Sequence, residues 1–214
     1  MSPYIREVHP SICPHSDSLV AWTGWTRNDN NESRQRRNKV LSELTAPESG
    51  ASIKLILAGP AGAGKSTLLQ ALIERLGWQP IEADDFHTED ARLEMVAGGT
   101  PDDAYRFAWI GWIAEAVQAH EGHVIATCSA LKRRYRDHLR SLLPEVRIVY
   151  LDLDRNGART RVSQRPGHWF KANAVDRQHD TIEHPGGEPD TLVVDAMLTA
   201  DEIVELIVGW VNAR

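Results

Sequence analysis

The chain has 214 residues, a formal charge of −6 and a hydrophobic content of 42%, which together fit one sizeable domain with a substantial core. The acidic balance argues against a general nucleic-acid binder, because neutralising phosphates requires a basic surface. No apolar run approaches the ~20 residues of a membrane span. Cys13 and Cys128 form no disulfide framework or zinc pattern. We therefore expect a cytoplasmic protein that binds neither nucleic acid nor membrane.

The first 50 residues differ in character from the rest of the chain. They contain a polar run at 26–38 and show no sustained helical or strand periodicity. Such a segment lacks the apolar pattern that a packed core requires. We predict a flexible extension over residues 1–50 and a single α/β domain over residues 51–214.

A glycine-rich loop follows the first predicted strand, which covers residues 53–58. Residues 59–67 match the pattern G-x-x-x-x-G-K-[ST] and open an amphipathic helix, which is the context that this phosphate-binding motif requires. Its glycines allow a tight turn whose N–H groups point at phosphate oxygens. Lys65 is expected to reach the β and γ phosphates of ATP, and Ser66 to offer its hydroxyl to Mg²⁺. The predicted nucleotide-binding residues of the loop are Gly59, Pro60, Ala61, Gly62, Ala63, Gly64, Lys65, Ser66 and Thr67.

Beyond this loop, strand and helix patterns alternate to the end of the chain. The predicted strands cover residues 80–83, 123–128, 146–153 and 191–194, and the predicted helices cover residues 68–76, 90–97, 103–118, 131–143 and 156–164, with a last helix after the capping box of Thr199 and Glu202. Residues 165–171 combine charge, aromatic rings and glycine, a composition typical of a mobile lid. The sequence therefore predicts a three-layer P-loop NTPase fold, with five parallel strands flanked by helices and a mobile lid.

Two adjacent acidic residues, Asp84 and Asp85, follow the second predicted strand. In open α/β sheets, ligands bind beyond this end of the strands. Asp84 is placed to accept a proton from a substrate hydroxyl or to hold Mg²⁺ through water, and Asp85 is able to share that work. The alternative is that the pair only caps the following helix.

Several further motifs resemble the gluconate kinase family, whose members are small relatives of shikimate and nucleoside monophosphate kinases. They are Ala-Asp-Asp-Phe-His at 83–87, Cys-Ser-Ala-Leu-Lys at 128–132 with Tyr-Arg-Asp at 135–137, Arg-x-Gly-His-Trp at 165–169 and Leu-Val-Val-Asp at 192–195. The resemblance implies ATP-dependent phosphorylation of D-gluconate at its 6-hydroxyl group. It also implies that Asp84 and His87 lie at the acceptor site, and that Arg161 and Arg165 act on the transferred phosphate.

A sugar acid needs a cation for its carboxylate and hydrogen-bonding groups for its hydroxyls. The chain offers Arg106, Lys132, Arg136 and His168 for this purpose, although each is also compatible with a solvated surface charge.

Two positions depart from the family pattern. Ala91 stands where the family carries Asn, and Tyr105 stands where it carries Asp. Because a missing polar partner weakens recognition, we expect poorer phosphorylation of gluconate than is typical of the family. Two alternatives stay open: a kinase for another small hydroxy acid or nucleotide, and a degenerate kinase that binds nucleotide as a regulatory module. A homodimer is also left open.

Overall fold

The computed structural model describes residues 52–164 and 172–213. The predicted extension at 1–50 and the predicted lid at 165–171, with Arg165 and His168, lie outside this part of the chain. Within the described residues, no helix is long and apolar enough to cross a membrane.

A parallel sheet of five strands forms the centre of the described domain. The strands are β1 (Lys54–Ala58), β2 (Gln79–Ile81), β3 (Val124–Thr127), β4 (Val146–Asp152) and β5 (Thr191–Asp195). Their order across the sheet is β2-β3-β1-β4-β5, and every neighbouring pair is parallel. The chain order thus reverses at β1, and the crevice beyond the carboxyl end of such a strand is the usual ligand site of an open α/β sheet.

Helices cover both faces of the sheet. They are α1 (Lys65–Leu76), α2 (Glu89–Val96), α3 (Asp103–Gln118), α4 (Arg133–Leu142), α5 (Arg155–Ser163), α6 (Ala172–His179) and α7 (Ala200–Asn212). Strand side chains alternate between the faces, so Leu55 and Leu57 pack with α1, α5 and α7, whereas Ile56 and Ala58 pack with α3 and α4. The predicted three-layer α/β fold with five parallel strands is confirmed.

Most predicted elements are present, with two differences near the cleft. The predicted strand at 80–83 ends at Ile81, and residues Ala83–Phe86 form a 3₁₀-helix instead. Helix α6 was not predicted; it has only eight residues and follows the segment with the lid-like composition. Helix periodicity over two turns is a weak signal.

A buried arginine joins α4 to the segment that precedes β5. Arg136 is fully buried, and it donates from Nε and Nη2 to the carboxylate of Glu188 at 2.9 and 2.6 Å. Its other donors bind the main-chain carbonyls of Ala130, Leu131 and Glu183. Burial by itself raises the pKa of the Glu188 carboxyl, but the hydrogen bonds and charges of Arg136 and Arg140 outweigh it, so the pKa lies below its usual value.

This geometry changes the role expected for Arg136. A guanidinium has five N–H donors, and five hydrogen bonds to protein oxygens engage them. No donor is left for the carboxylate of a substrate. We therefore assign Arg136 to the stability of the fold rather than to the acceptor site predicted from the sequence.

Replacing Arg136→Met should lower the free energy of unfolding by about 3 to 5 kcal/mol, because Glu188 is left charged and buried with part of its hydrogen bonding lost. Urea unfolding followed by circular dichroism measures the change. Arg133→Met is the matched control in the same helix, since its side chain is 68% exposed and its loss should cost less than about 0.5 kcal/mol. Equal effects of the two substitutions would contradict the structural role of Arg136.

Candidate active site

The glycine-rich loop turns tightly against a neighbouring strand. Gly59 has φ of +137°, and a β-carbon at this position would lie 2.6 Å from the main-chain oxygen of Leu151 in β4. Only glycine combines this backbone conformation with so close an approach. The turn therefore brings the loop directly over the carboxyl end of β1.

Helix α1 begins at Lys65 without a side-chain cap. Its N-cap residue is Gly64, with φ of +92°, which has no side chain to accept a hydrogen bond from the first turn. The N–H groups at a helix N-terminus have no partner within the helix, and the helix dipole favours an anion there. The loop and the first turn together form a site suited to phosphate groups.

The lysine of the motif lies across the loop. Lys65 Nζ donates to the main-chain oxygens of Gly59 and Pro60 at 3.0 and 2.9 Å. These bonds hold the ammonium group beside the N–H groups of the loop. Positive charge is therefore concentrated where phosphate oxygens would bind.

Two residues from later helices also hold the loop. Arg161 of α5 donates to the main-chain oxygens of Gly62 at 3.4 Å and Ala196 at 2.8 Å, and Gln178 of α6 accepts a hydrogen bond from Ala61 N at 2.7 Å. Arg161 was predicted for this site. Gln178 was missed, because no motif marks it and only the tertiary fold brings α6 to the loop.

The acidic pair lies on the 3₁₀-helix beyond β2. Asp84 lines the same cavity as the loop, whereas Asp85 does not, although both residues are exposed. Helix α2 is capped by Thr88, whose side chain accepts from Ala91 N. Since Thr88 caps the helix, the alternative in which the acidic pair only forms the cap of α2 does not describe this structure.

Buried hydrogen bonds fix the position of the 3₁₀-helix. Ala83 N donates to Thr127 Oγ1 at 3.1 Å, and Trp109 Nε1 donates to the main-chain oxygen of Ala83 at 3.0 Å. Thr127 in turn donates to Glu82 at 2.7 Å. Residues of β3 and α3 therefore hold the segment that presents Asp84. Thr127 and Trp109 were not predicted, because their contribution depends on contacts between distant parts of the chain.

His87 lies at the end of this segment and stacks on Trp109. The ring centroids are 4.5 Å apart and the planes differ by 3°. The pKa of His87 is lowered to about 4: burial is the largest cause, the charge of Asp84 opposes it, and the charges of Arg106 and Arg92 act with it. The imidazole is therefore neutral at physiological pH.

One cavity of about 430 Å³ joins the phosphate-binding loop to the acidic segment. Its size lies within the range of small-molecule sites. The sequence-predicted side chains that line it are those of Ala61, Ala63, Lys65, Ser66, Thr67, Asp84, His87, Arg106 and Arg161. The structure thus brings together groups suited to a nucleotide and groups suited to a hydroxylated acceptor.

The predicted acceptor ligand Lys132 and the neighbouring Cys128 have different surroundings. Lys132 lies outside the cavity lining, with Nζ 3.5 Å from Asp103 Oδ1. Cys128 lines the cavity but is buried, and burial raises the pKa of its thiol to about 12. A thiol with this pKa is not a nucleophile at neutral pH.

The fold and this cleft define a P-loop kinase. The model of a protein family described as AAA domain matches residues 55–185. The gluconokinase of Gluconobacter oxydans (strain 621H) is 34% identical over 165 residues, which cover 75% of this chain and 92% of that protein. The chain belongs to the gluconokinase family.

Solved structures agree with this assignment. The crystal structure of a gluconokinase from Sinorhizobium meliloti 1021 is 33% identical with a TM-score of 0.65, covering 72% of this chain and 87% of that one. An unliganded sugar kinase from Janibacter sp. HTCC2649 is 30% identical with a TM-score of 0.71, covering 76% of this chain and 95% of that one. The family resemblance predicted from the motifs is confirmed.

Replacing Gly59→Ala should weaken nucleotide binding at least about tenfold, because the added carbon forces the loop away from Leu151. Isothermal titration calorimetry with ATP measures the loss. Gly77→Ala is the matched control, since Gly77 also has positive φ, of +69°, but no atom lies within 4 Å of the added carbon. This control should lose only about 1 to 2 kcal/mol of stability from backbone strain and bind ATP normally. Similar affinities for the two variants would contradict a steric role for Gly59.

Proposed function

We propose that the protein transfers the γ-phosphoryl group of ATP to the 6-hydroxyl group of D-gluconate. The observation that carries this proposal is the single cavity in which the phosphate-binding loop faces Asp84, His87 and Arg106. Phosphoryl transfer depends mainly on positioning and on electrostatic stabilisation of the transferred group, and the cavity offers residues for both. Membership of the gluconokinase family supports gluconate as the acceptor.

The nucleotide side of the reaction is assigned to the loop and three cationic side chains. The N–H groups of the loop and of the first turn of α1 bind phosphate oxygens, and Lys65 supplies positive charge to them. Arg161, whose guanidinium donates to the loop oxygen of Gly62 and lines the same cavity, supplies a second positive charge. Arg165 is proposed for the same task, from its position in the sequence.

Ser66 and Asp84 are proposed as the residues that hold Mg²⁺. The donor set fits this ion, because a hydroxyl and a carboxylate oxygen line one cleft and Mg²⁺ commonly keeps several waters beside one or two protein ligands. Within the described residues, no group of three or more His, Cys, Asp or Glu side chains forms a complete cage for a metal. When bound, the ion would neutralise charge on the phosphate groups.

The acceptor side is assigned to Asp84, His87 and Arg106. Asp84 accepts the proton of the 6-hydroxyl group, which makes the oxygen a better nucleophile. Arg106, whose Nε donates to the main-chain oxygen of Pro101 at 3.1 Å, presents its guanidinium to the cavity as a partner for the gluconate carboxylate. His168 and Lys132 remain predicted acceptor ligands that rest on the sequence alone.

The activity is tested by measuring ADP release with a panel of acceptors. We expect turnover with D-gluconate to exceed that with shikimate, nucleoside monophosphates and other hydroxy acids. Lys65→Ala is the control for contaminating kinases, and it should lose several kcal/mol of transition-state stabilisation. Preference for another acceptor would redirect the proposal to a related kinase, and tight ATP binding without turnover on any acceptor would indicate a regulatory module.

Asp84→Asn and Asp85→Asn form a matched pair for the proton acceptor. Asp84→Asn should lower kcat by roughly 10² to 10⁴, because it removes the base while leaving the nucleotide loop intact. Asp85→Asn should change kcat by less than about tenfold, since its side chain lies outside the cavity lining. Steady-state kinetics and ATP titrations of both variants measure this difference. The reverse order would move the assignment to Asp85.

A further inference from the structure

We propose that Tyr105 is a positioning residue that fixes one tautomer of His87, so that His87 Nε2–H donates a hydrogen bond to the acceptor substrate. The identity of that acceptor rests on the proposed function, whereas the tautomer does not. Tyr105 lies on α3, and its hydroxyl group contacts both His87 and Thr88.

The direction of the hydrogen bonds assigns the tautomer. Thr88 N donates to the hydroxyl oxygen of Tyr105 at 3.1 Å, and a main-chain N–H is able only to donate. The same hydroxyl lies 3.1 Å from His87 Nδ1. Within the described residues, His87 Nδ1 is the only acceptor within reach of the Tyr105 hydroxyl proton, so the Tyr105 O–H donates to Nδ1. A neutral imidazole that accepts at Nδ1 carries its proton on Nε2.

The packing of α3 fixes the orientation of the ring. Tyr105, Trp109 and Trp112 are spaced i, i+4 and i+7, so they lie on one side of the helix. His87 stacks on Trp109, and Tyr105 packs edge-on against Trp112 with centroids 6.0 Å apart. With the plane set by Trp109 and Nδ1 bound to Tyr105, the imidazole has little freedom to turn.

The remaining nitrogen is placed for a ligand. His87 lines the cavity, and its Nε2 has no hydrogen-bond partner among residues 52–164 and 172–213. Because Nδ1 accepts a hydrogen bond from Tyr105, the single ring proton lies on Nε2. The ring is therefore a neutral donor rather than a cation or a base. The Nε2–H group of His87 would donate a hydrogen bond to a hydroxyl oxygen of the substrate, whereas the carboxylate of Asp84 would accept one from a substrate hydroxyl group.

The first test measures the tautomer by ¹H–¹⁵N NMR spectroscopy of the full chain, without substrate. His87→Gln assigns the signal among the nine histidines. We expect the Nε2–H pattern in the wild type at about pH 8, well above the ordinary imidazole pKa of about 6.5. Tyr105→Phe should produce a mixture of tautomers. Tyr150→Phe is the control, since the Tyr150 hydroxyl is buried and has no partner within the described residues.

The second test separates acceptor binding from nucleotide binding. Tyr105→Phe should raise KM for gluconate about tenfold and leave KM for ATP within about twofold of the wild type. His87→Gln should keep more activity than His87→Asn, because the amide nitrogen of Gln reaches the place of Nε2 and that of Asn reaches only the place of Nδ1.

Several results would overturn the proposal. They are an Nδ1–H spectrum in the wild type, a His87 spectrum that Tyr105→Phe leaves unchanged, and equal activity of the Gln and Asn variants of His87. Failure of the wild type to phosphorylate gluconate would instead overturn the proposed function, since the NMR measurement needs no acceptor.

Discussion

The close contact between Gly59 and the Leu151 main-chain oxygen is the constraint on which the cleft depends. It sets the loop directly over the sheet, and from that position Lys65 and the start of α1 face the carboxyl ends of the strands. The sheet is rigid there, because β1 and β4 lie side by side in register from Lys54 to Ala58. The conformation of the loop therefore depends on the close approach of Gly59 to β4, which a residue with a side chain would prevent.

The opposite side of the cleft depends on a different kind of contact. Its 3₁₀-helix makes few main-chain hydrogen bonds of its own, and Thr127 and Trp109 hold it through Ala83. Buried hydrogen bonds of this kind hold the segment in one position, because a displaced segment would leave a buried polar group without a partner and its desolvation free energy uncompensated. The acceptor groups are therefore placed by α3 and β3, and the nucleotide groups by β1 and β4.

The sequence predicted those features that local pattern determines. Strand periodicity and the glycine-rich motif were sufficient to predict the fold and the place of Lys65, and the position of Asp84 after a strand was sufficient to place it in the cleft. The roles of Arg136, Gln178 and Tyr105 were beyond the sequence, since each depends on partners far along the chain or on hydrogen-bond direction. Tyr105 is the clearest example. The motif comparison treats this position only as the absence of a carboxylate, whereas the structure gives the tyrosine hydroxyl a contact with His87.

The engagement of Arg136 has a consequence for directed evolution of this protein. Its hydrogen bonds join the loop at 130–131 to the segment at 183–188 through three main-chain oxygens and one side chain, that of Glu188. A library that varies Arg136 or Glu188 independently of the other therefore breaks a buried ion pair, so these two positions have to be kept or changed together. Among the described residues, the helices α2 and α3 around Ala91 and Tyr105 make no fully buried ion pair, since Asp103 of α3 pairs with partly exposed side chains. Changes of acceptor are therefore best sought there, with the Tyr-Arg-Asp motif held fixed.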